Sequence, residues 1–115
     1  MNKTQLLIQR NRVRQLMRMS NRKANVLCWG YGETDNHIQM KLEICKYLKS
    51  QGKEFYTEAI FLDGLRGDVV NADDGVIYEV IESEEIKSII KKRKKYPLPI
   101  IIVRANQDFK KELIL

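Results

Sequence analysis

The sequence predicts an α/β protein in which a mixed sheet is flanked by two helices, in the element order αβββαβ, with a basic helix in front. Three observations predict this class. The chain has 115 residues, which is enough for one hydrophobic core. Apolar residues recur with a helical period in some segments and with a strand period in others. The turn sequence at residues 71–75 predicts a hairpin, whereas the last strand follows a helix and is most simply parallel.

The first 32 residues are interpreted as a basic N-terminal arm, and residues 33–115 as the core domain. Within the arm, helical spacing predicts a helix over residues 3–19, followed by an extended piece and a Gly-Tyr-Gly hinge. The helix could instead pack on the sheet or on a second subunit through its apolar residues, which are Leu6, Leu7, Val13, Leu16 and Met17.

The core domain begins with a helix from Thr34 or Asp35 to about residue 51, where Gly52 stops it. Strands are predicted over residues 55–62, from residue 67 to the hairpin turn, and over residues 76–81. A further helix begins at residues 83–85 and ends in the basic run 91–95, which suits the helix dipole. Residues 100–103 are predicted to form a buried parallel strand. The helical side chains expected to face the core are Ile38, Leu42, Cys45, Leu48, Ile86, Ile89 and Ile90.

The positive charge of the chain lies in its first part. Residues 1–32 carry a charge of +7 and no acid, whereas the remaining residues sum to −1. Such asymmetry is typical of an arm that binds a polyanion, although a solvated helix face and an Arg-rich transit peptide are alternatives. The residues expected to contact nucleic acid are Arg10, Arg14, Arg18, Arg22, Lys23 and Arg66.

Composition excludes several classes of protein. The two cysteines are far apart in sequence and there is one histidine, so a disulfide framework or a four-ligand zinc site within one chain is not expected. No apolar run approaches the ~20 residues of a membrane span, and no signal-peptide pattern is present. We therefore expect a cytoplasmic protein that does not act in a membrane.

Asp68 and Glu79 are the most informative acidic pair. If residues 72–75 form the hairpin loop, Asp68 faces Glu79 directly, and a two-residue turn still leaves both on one face. Two carboxylates about 5 Å apart on an apolar surface repel each other, and a divalent cation removes that cost. This pattern predicts a Mg²⁺ or Mn²⁺ site. The structural alternative is a turn cap at Asp68 and a salt bridge from Glu79 to Arg66 or Lys41.

These features resemble the PD-(D/E)XK nuclease superfamily, whose core is restriction-endonuclease-like. They comprise the αβββαβ order, the Arg-Gly-Asp-Val-Val sequence at residues 66–70, and an acidic residue in the next strand, Glu79. Archaeal Holliday-junction resolvases belong to this superfamily. Residues 33–41, with His37 and Lys41 four apart, are similar to its CoiA-like branch. The resemblance covers about residues 33–104.

By this resemblance, Asp68, Glu79 and Glu33 would ligate the metal. The superfamily has a lysine two residues after the glutamate, and this chain has Ile81 there. Some members supply that lysine from another element, for which Lys41 is the candidate. The catalytic residues implied are Asp68, Glu79, Lys41 and His37, the last of which could equally be a partly exposed residue of the first helical turn.

The resemblance implies a metal-dependent endonuclease that hydrolyses DNA phosphodiester bonds. Because no base-reading element is evident, structure-selective or nonspecific cleavage is expected, on DNA that could be branched or single-stranded. The small core suggests a homodimer. Ile81 favours the alternative of a non-catalytic nucleic-acid-binding module on a decayed nuclease fold. A third possibility is an interaction protein whose basic helix docks on an acidic partner or a membrane surface.

Overall fold

The computed structural model describes residues 1–21, 23–82 and 86–106. Its elements follow the predicted αβββαβ order after one N-terminal helix. Helices are α1 (Lys3–Arg14), α2 (Asp35–Ser50) and α3 (Ile86–Arg93), with a short 3-10 turn at Met19–Asn21. Strands are β1 (Phe55–Ile60), β2 (Arg66–Asn71), β3 (Val76–Ile81) and β4 (Ile100–Arg104). Within these described ranges, no helix has the length and apolar character needed to cross a membrane.

The four strands form one mixed sheet in the order β1-β2-β3-β4. The β1–β2 and β2–β3 pairs are antiparallel, and β3–β4 is parallel, as the helical connection predicted. Asn71 pairs with Val76, so of the two hairpin registers that the sequence allowed, the structure has the one with a four-residue loop at residues 72–75. Gly75 has a φ of +67°, the left-handed conformation that this turn requires. The coarse α/β architecture is therefore confirmed.

α2 begins and ends as predicted. The Thr34 side chain accepts a hydrogen bond from the His37 amide at 3.2 Å, and Gly52 follows the helix with a φ of +66°. The buried face of α2 differs from the predicted one, since Ile38 and Leu42, which were expected to face the core, are only half-buried. The side chains that the helix buries are Met40, Lys41, Ile44, Cys45 and Leu48.

α1 is shorter than the predicted helix over residues 3–19. After Arg14 the chain pairs with the edge of the sheet, because the Arg18 amide donates to the Ile60 carbonyl at 2.8 Å and the Leu62 amide to the Leu16 carbonyl at 2.9 Å. These bonds form a β-bridge between Met17 and Phe61. Pairing with the sheet thus replaces the last turn of the helix.

The sheet has an apolar core on each face. On one face, α2 packs against residues that include Phe55, Val69 and Tyr78. On the other, Val13 and Met17 pack against strand residues that include Tyr56. The arm is therefore packed on the sheet, as one of the sequence alternatives allowed, and the domain boundary at residue 32 stays a prediction.

Two arginines of α1 are ion-paired. Arg10 contacts Asp73 at 2.7 Å and Arg14 contacts Glu54 at 2.9 Å. The hydrogen bond that Arg10 donates to Asp73 raises the pKa of Arg10, and the one that Arg14 donates to Glu54 raises the pKa of Arg14. Phosphate would have to displace these carboxylates, so nucleic-acid contact by Arg10 and Arg14 stays a prediction.

The C-terminal elements differ from expectation in detail. Ile89 is buried as predicted, but Ile90 is exposed, because only one of two adjacent helical positions faces the sheet. The predicted start of this helix at residues 83–85 lies outside the described residues. β4 lies at the sheet edge, and the predicted buried strand is buried only in part: Ile100 and Val103 are buried, whereas Ile101 is exposed.

Two methionines test whether the N-terminal segment belongs to the core. Met17 is 0% exposed and Met19 is 82% exposed. We expect Met17→Ala to lower the free energy of unfolding by about 2–5 kcal/mol, since it leaves a cavity. The matched Met19→Ala should change it by less than about 0.5 kcal/mol. Denaturant unfolding followed by circular dichroism measures both, and equal stability of the two variants would contradict this packing.

Candidate functional site

A buried lysine lies at the centre of the candidate site. Lys41, on α2, is 0% exposed. Its Nζ atom donates to the Cys28 carbonyl at 2.7 Å, to Glu58 Oε1 at 2.6 Å and to Glu33 Oε1 at 3.1 Å. An ammonium has three N–H groups, so these three acceptors, two from the loop before α2 and one from β1, use all of them. Lys41 therefore connects the loop before α2 with strand β1.

Glu58 lies within β1 in an unusual conformation. Its φ is +52°, which is uncommon for a non-glycine residue and marks local strain. Every second residue of a strand normally lies on the same face of the sheet. Phe55, however, belongs to the core under α2, whereas Ala59 belongs to the core on the opposite face. The side-chain alternation thus reverses around Glu58, and this reversal lets its carboxylate reach Lys41.

The neighbouring strand reverses at the same level. The β1–β2 register places Asp68 opposite Glu58. Val69 packs under α2, but a Cβ at Gly67 would lie 3.2 Å from side-chain atoms of Phe61 and Ile77, on the other face. Gly67 therefore permits a close approach that a side chain would crowd. The reversal turns the Asp68 carboxylate toward α2.

Asp68 and Glu79 are linked through backbone amides. Asp68 Oδ2 accepts from the Val80 amide at 2.8 Å, and Glu79 Oε1 accepts from the Asp68 amide at 3.0 Å. The register is the one of the two considered that places Asp68 opposite Glu79, but each residue accepts or donates a backbone hydrogen bond to the other strand. Tyr78 and Val80 pack under α2, so alternation puts Glu79 on the other face. The expectation that both carboxylates share one face was wrong, because it assumed regular alternation in β2.

His37 lies between two carboxylates on the α2 side. Its Nδ1 atom is 2.5 Å from Glu33 Oε1, and its Nε2 atom is 3.2 Å from the Val80 carbonyl and 3.4 Å from Asp68 Oδ2. Both ring nitrogens face acceptors, which only the protonated ring can satisfy by donation. The hydrogen bond to Asp68 and its charge, opposed by burial and aided by Glu33, raise the pKa of His37 to about 9. The site therefore stabilises a positive charge.

Glu33 is held in place by the loop that precedes α2. Its carboxylate accepts hydrogen bonds from the Gly30 amide and from Lys41. Burial raises the pKa of Glu33, but these bonds outweigh it and hold the pKa below its ordinary value. The Glu33 carboxylate is thus ionised at neutral pH.

Three of these side chains could share one metal ion. Donor atoms of Glu33, His37 and Asp68 lie within 4.8 Å of one another. Two carboxylates and an imidazole fit a first-row divalent ion such as Mn²⁺ better than Mg²⁺, which prefers oxygen. A bound cation would take over the charge that the His37 proton now supplies. The structure thus groups Glu33 and Asp68 with His37, whereas the sequence grouped them with Glu79.

The remaining predicted residues are dispersed. Ile81 is buried and offers no polar group at the expected lysine position. Arg66 is largely exposed and is 3.4 Å from Glu58. Arg18 and Lys23 are exposed, and Arg22 lies outside the described residues.

Sequence reasoning missed Glu58. The available signal was an acidic residue within the strand-like run at residues 55–62, similar to the one that singled out Glu79. Sequence reasoning also assigned to Glu79 the possible salt bridge with Lys41 or Arg66, which the structure gives to Glu58.

No family model, curated protein or solved structure matches this chain. The resemblance to the PD-(D/E)XK superfamily therefore stays a prediction. The α/β architecture and the geometry of the charged cluster carry the functional argument.

His37 is the only histidine, so its titration can be followed by NMR without ambiguity. In metal-free protein we expect a titration midpoint near pH 9, and Asp68→Asn should move it down toward the ordinary value.

The raised pKa of His37 also makes the stability of the fold depend on pH. Because the folded-state pKa is raised, His37 stabilises the fold fully below about pH 6.5, the ordinary pKa of histidine. That contribution is lost as pH rises to about 9. The difference in unfolding free energy between wild type and His37→Gln should shrink over this range, and a constant difference would contradict the site geometry.

Removing the buried ammonium should destabilise the fold. Lys41→Met keeps most of the stem but leaves Glu33 and Glu58 without a shared counter-charge, so we expect unfolding free energy to fall by about 3–5 kcal/mol. Lys46→Met, at an exposed position of the same helix, should change it by less than about 0.5 kcal/mol. Urea denaturation at neutral pH compares the two variants. An unaffected Lys41→Met would show that the ammonium is dispensable to the structure.

Proposed function

We propose that the protein is a divalent-metal-dependent nuclease that hydrolyses phosphodiester bonds in DNA. The observation that supports this most is the convergence of Glu33, His37 and Asp68 donor atoms within 4.8 Å. Phosphodiester hydrolysis needs concentrated positive charge, here that of a divalent cation, beside the anionic substrate. Carboxylates held in a fixed arrangement provide a site that can bind such a cation.

The chain supplies the ligands and their positioning. When bound, a divalent ion would lower the pKa of a coordinated water and neutralise charge on the phosphate. Glu33 is held by the Gly30 amide and by Lys41, and Asp68 is held by the Val80 amide. These bonds orient both carboxylates before any cation arrives, which reduces reorganisation during the reaction.

Lys41 acts in this proposal as a positioning residue. The sequence-based hypothesis gave it the role of the missing lysine that activates water. Its three N–H groups are already used by Cys28, Glu33 and Glu58, so none is directed to a water molecule.

Arg66 is exposed beside Glu58 and could contact a substrate phosphate. A homodimer would present two sites to two strands, and light scattering tests that expectation.

A second candidate function is nucleic-acid binding without catalysis, on a decayed nuclease fold. Ile81 and the fully engaged Lys41 favour it, because neither can activate a water molecule. Under this proposal the charged cluster would be structural, and the exposed bases would bind phosphates in a salt-dependent manner.

The test is incubation of the full chain with supercoiled, single-stranded and four-way-junction DNA, with Mn²⁺ or Mg²⁺ and with EDTA. We expect cleavage that requires the divalent ion and falls by about 10²-fold or more in Glu33→Gln and in Asp68→Asn. The two losses should not add in the double variant, since both residues act on one ion. Calorimetric titration with Mn²⁺ should show weakened binding in the same variants.

Glu43→Gln is the matched control, because Glu43 is an exposed acid on the same helix as the site residues. It should cleave and bind Mn²⁺ like wild type. Cleavage that persists in the double variant would remove the metal site from the reaction. Binding of DNA without any cleavage by wild type would favour the second candidate.

A further inference from the structure

Two exposed aromatic side chains lie in the loop that carries Glu33. Trp29 is 56% exposed and Tyr31 is fully exposed, with Gly30 between them. Large aromatic side chains are normally buried for most of their surface, so an exposed pair in one short loop indicates a contact surface. Nothing in the roles assigned to the metal ligands accounts for this pair.

The loop that carries the pair is fixed on both sides. The Cys28 amide donates to Thr57 Oγ1 at 2.8 Å and the Cys28 carbonyl accepts from Lys41 at 2.7 Å. The Gly30 amide donates to the Glu33 carboxylate. Trp29 is therefore placed by bonds from its two neighbours to the charged cluster. A surface ordered in advance loses little entropy when a ligand binds.

We propose that Trp29 and Tyr31 stack on unpaired bases, so that the protein acts on single-stranded or locally unpaired nucleic acid. This inference rests on the proposed function, to which it adds the substrate class. Aromatic faces stack on bases of any sequence, and they can do so only where a base is not enclosed in a duplex. The backbone distance between the two residues is at most about 7 Å, which suits neighbouring nucleotides of one strand.

The segment that carries the loop is basic in sequence. Residues 1–32 contain no acid, and the exposed Lys23 lines one cleft with Cys28 and with the half-buried Glu58, so this cleft presents one base and one acid. In that cleft, Lys23 could contact a phosphate of a strand whose bases stack on Trp29 and Tyr31. An acidic protein partner would also contact Lys23. Its side chains would gain less binding energy from stacking on the exposed rings of Trp29 and Tyr31 than a nucleobase does.

The test measures binding separately from cleavage. Trp29 is the only tryptophan, so its fluorescence reports directly on stacking. In EDTA, we expect a short oligothymidylate to quench Trp29, and an oligouridylate to do so as well if the base face is what is recognised. A duplex of the same length should quench it little. Fluorescence anisotropy of labelled oligonucleotides gives the affinities.

Tyr31→Ala should weaken binding of oligothymidylate by about 5- to 150-fold, the range for loss of one stacking contact. Tyr31→Phe keeps the ring and should bind within about twofold of wild type. Leu62→Ala removes an exposed apolar side chain from another loop and is the matched control. Because Tyr31 is fully exposed, its variants should keep the fold, which circular dichroism checks.

The inference is overturned if Tyr31→Ala binds oligothymidylate as tightly as wild type, or if duplex quenches Trp29 as strongly as the single strand. The cleavage assay is read independently. Quenching without metal-dependent cleavage would reject the nuclease proposal and leave the stacking surface supported. Cleavage with binding that ignores Tyr31→Ala would reject the stacking surface alone.

Discussion

The buried ammonium of Lys41 is the constraint on which the surrounding structure depends. A charged group without solvent exposure costs several kcal/mol unless it is paired and fully hydrogen-bonded. Its acceptors come from the loop before α2, through Cys28 and Glu33, and from β1, through Glu58. The loop also runs along the edge of β1, where the Asn25 amide donates to the Phe55 carbonyl and the Cys28 amide donates to Thr57 Oγ1. The Lys41 ammonium and these contacts with β1 together hold the loop relative to α2 and β1, and with it Glu33 beside His37.

That requirement also explains the irregular sheet. Glu58 can reach Lys41 only because its backbone adopts a left-handed conformation, at a cost of order 1–3 kcal/mol. The reversal at Glu58 continues into β2. There Gly67 avoids the close contacts that a side chain would make, and Asp68 turns toward His37. Strain in β1 and the carboxylate arrangement around His37 are thus parts of one local structure. A regular sheet would have left Glu58 and Asp68 on the opposite face from α2.

The sequence predicted what local rules determine. The turn at residues 71–75 predicts the hairpin and leaves two registers for it, and the parallel β4 follows from the helical connection before it. It did not predict the partners of Lys41, since an acidic residue in a strand gives no sign of which base it meets across the core. The left-handed Glu58 was equally hidden, because propensity disfavours it and only tertiary contacts hold it. The burial of Met17 depends on its pairing with Phe61, and local sequence rules do not show the pairing of two residues that are so far apart in the chain.

Stability alone is a poor explanation for this cluster. Buried ion pairs are often replaced by apolar side chains of similar volume without loss, or with a gain, in stability. Here Glu33, Glu58 and Asp68 surround Lys41 and His37 within a small domain, at the same place as a strained strand residue. An apolar set would avoid both the desolvation and the strain. What an apolar set could not do is present oriented carboxylates and an imidazole beside an accessible loop, and this is the property that a metal-dependent reaction on a phosphodiester requires.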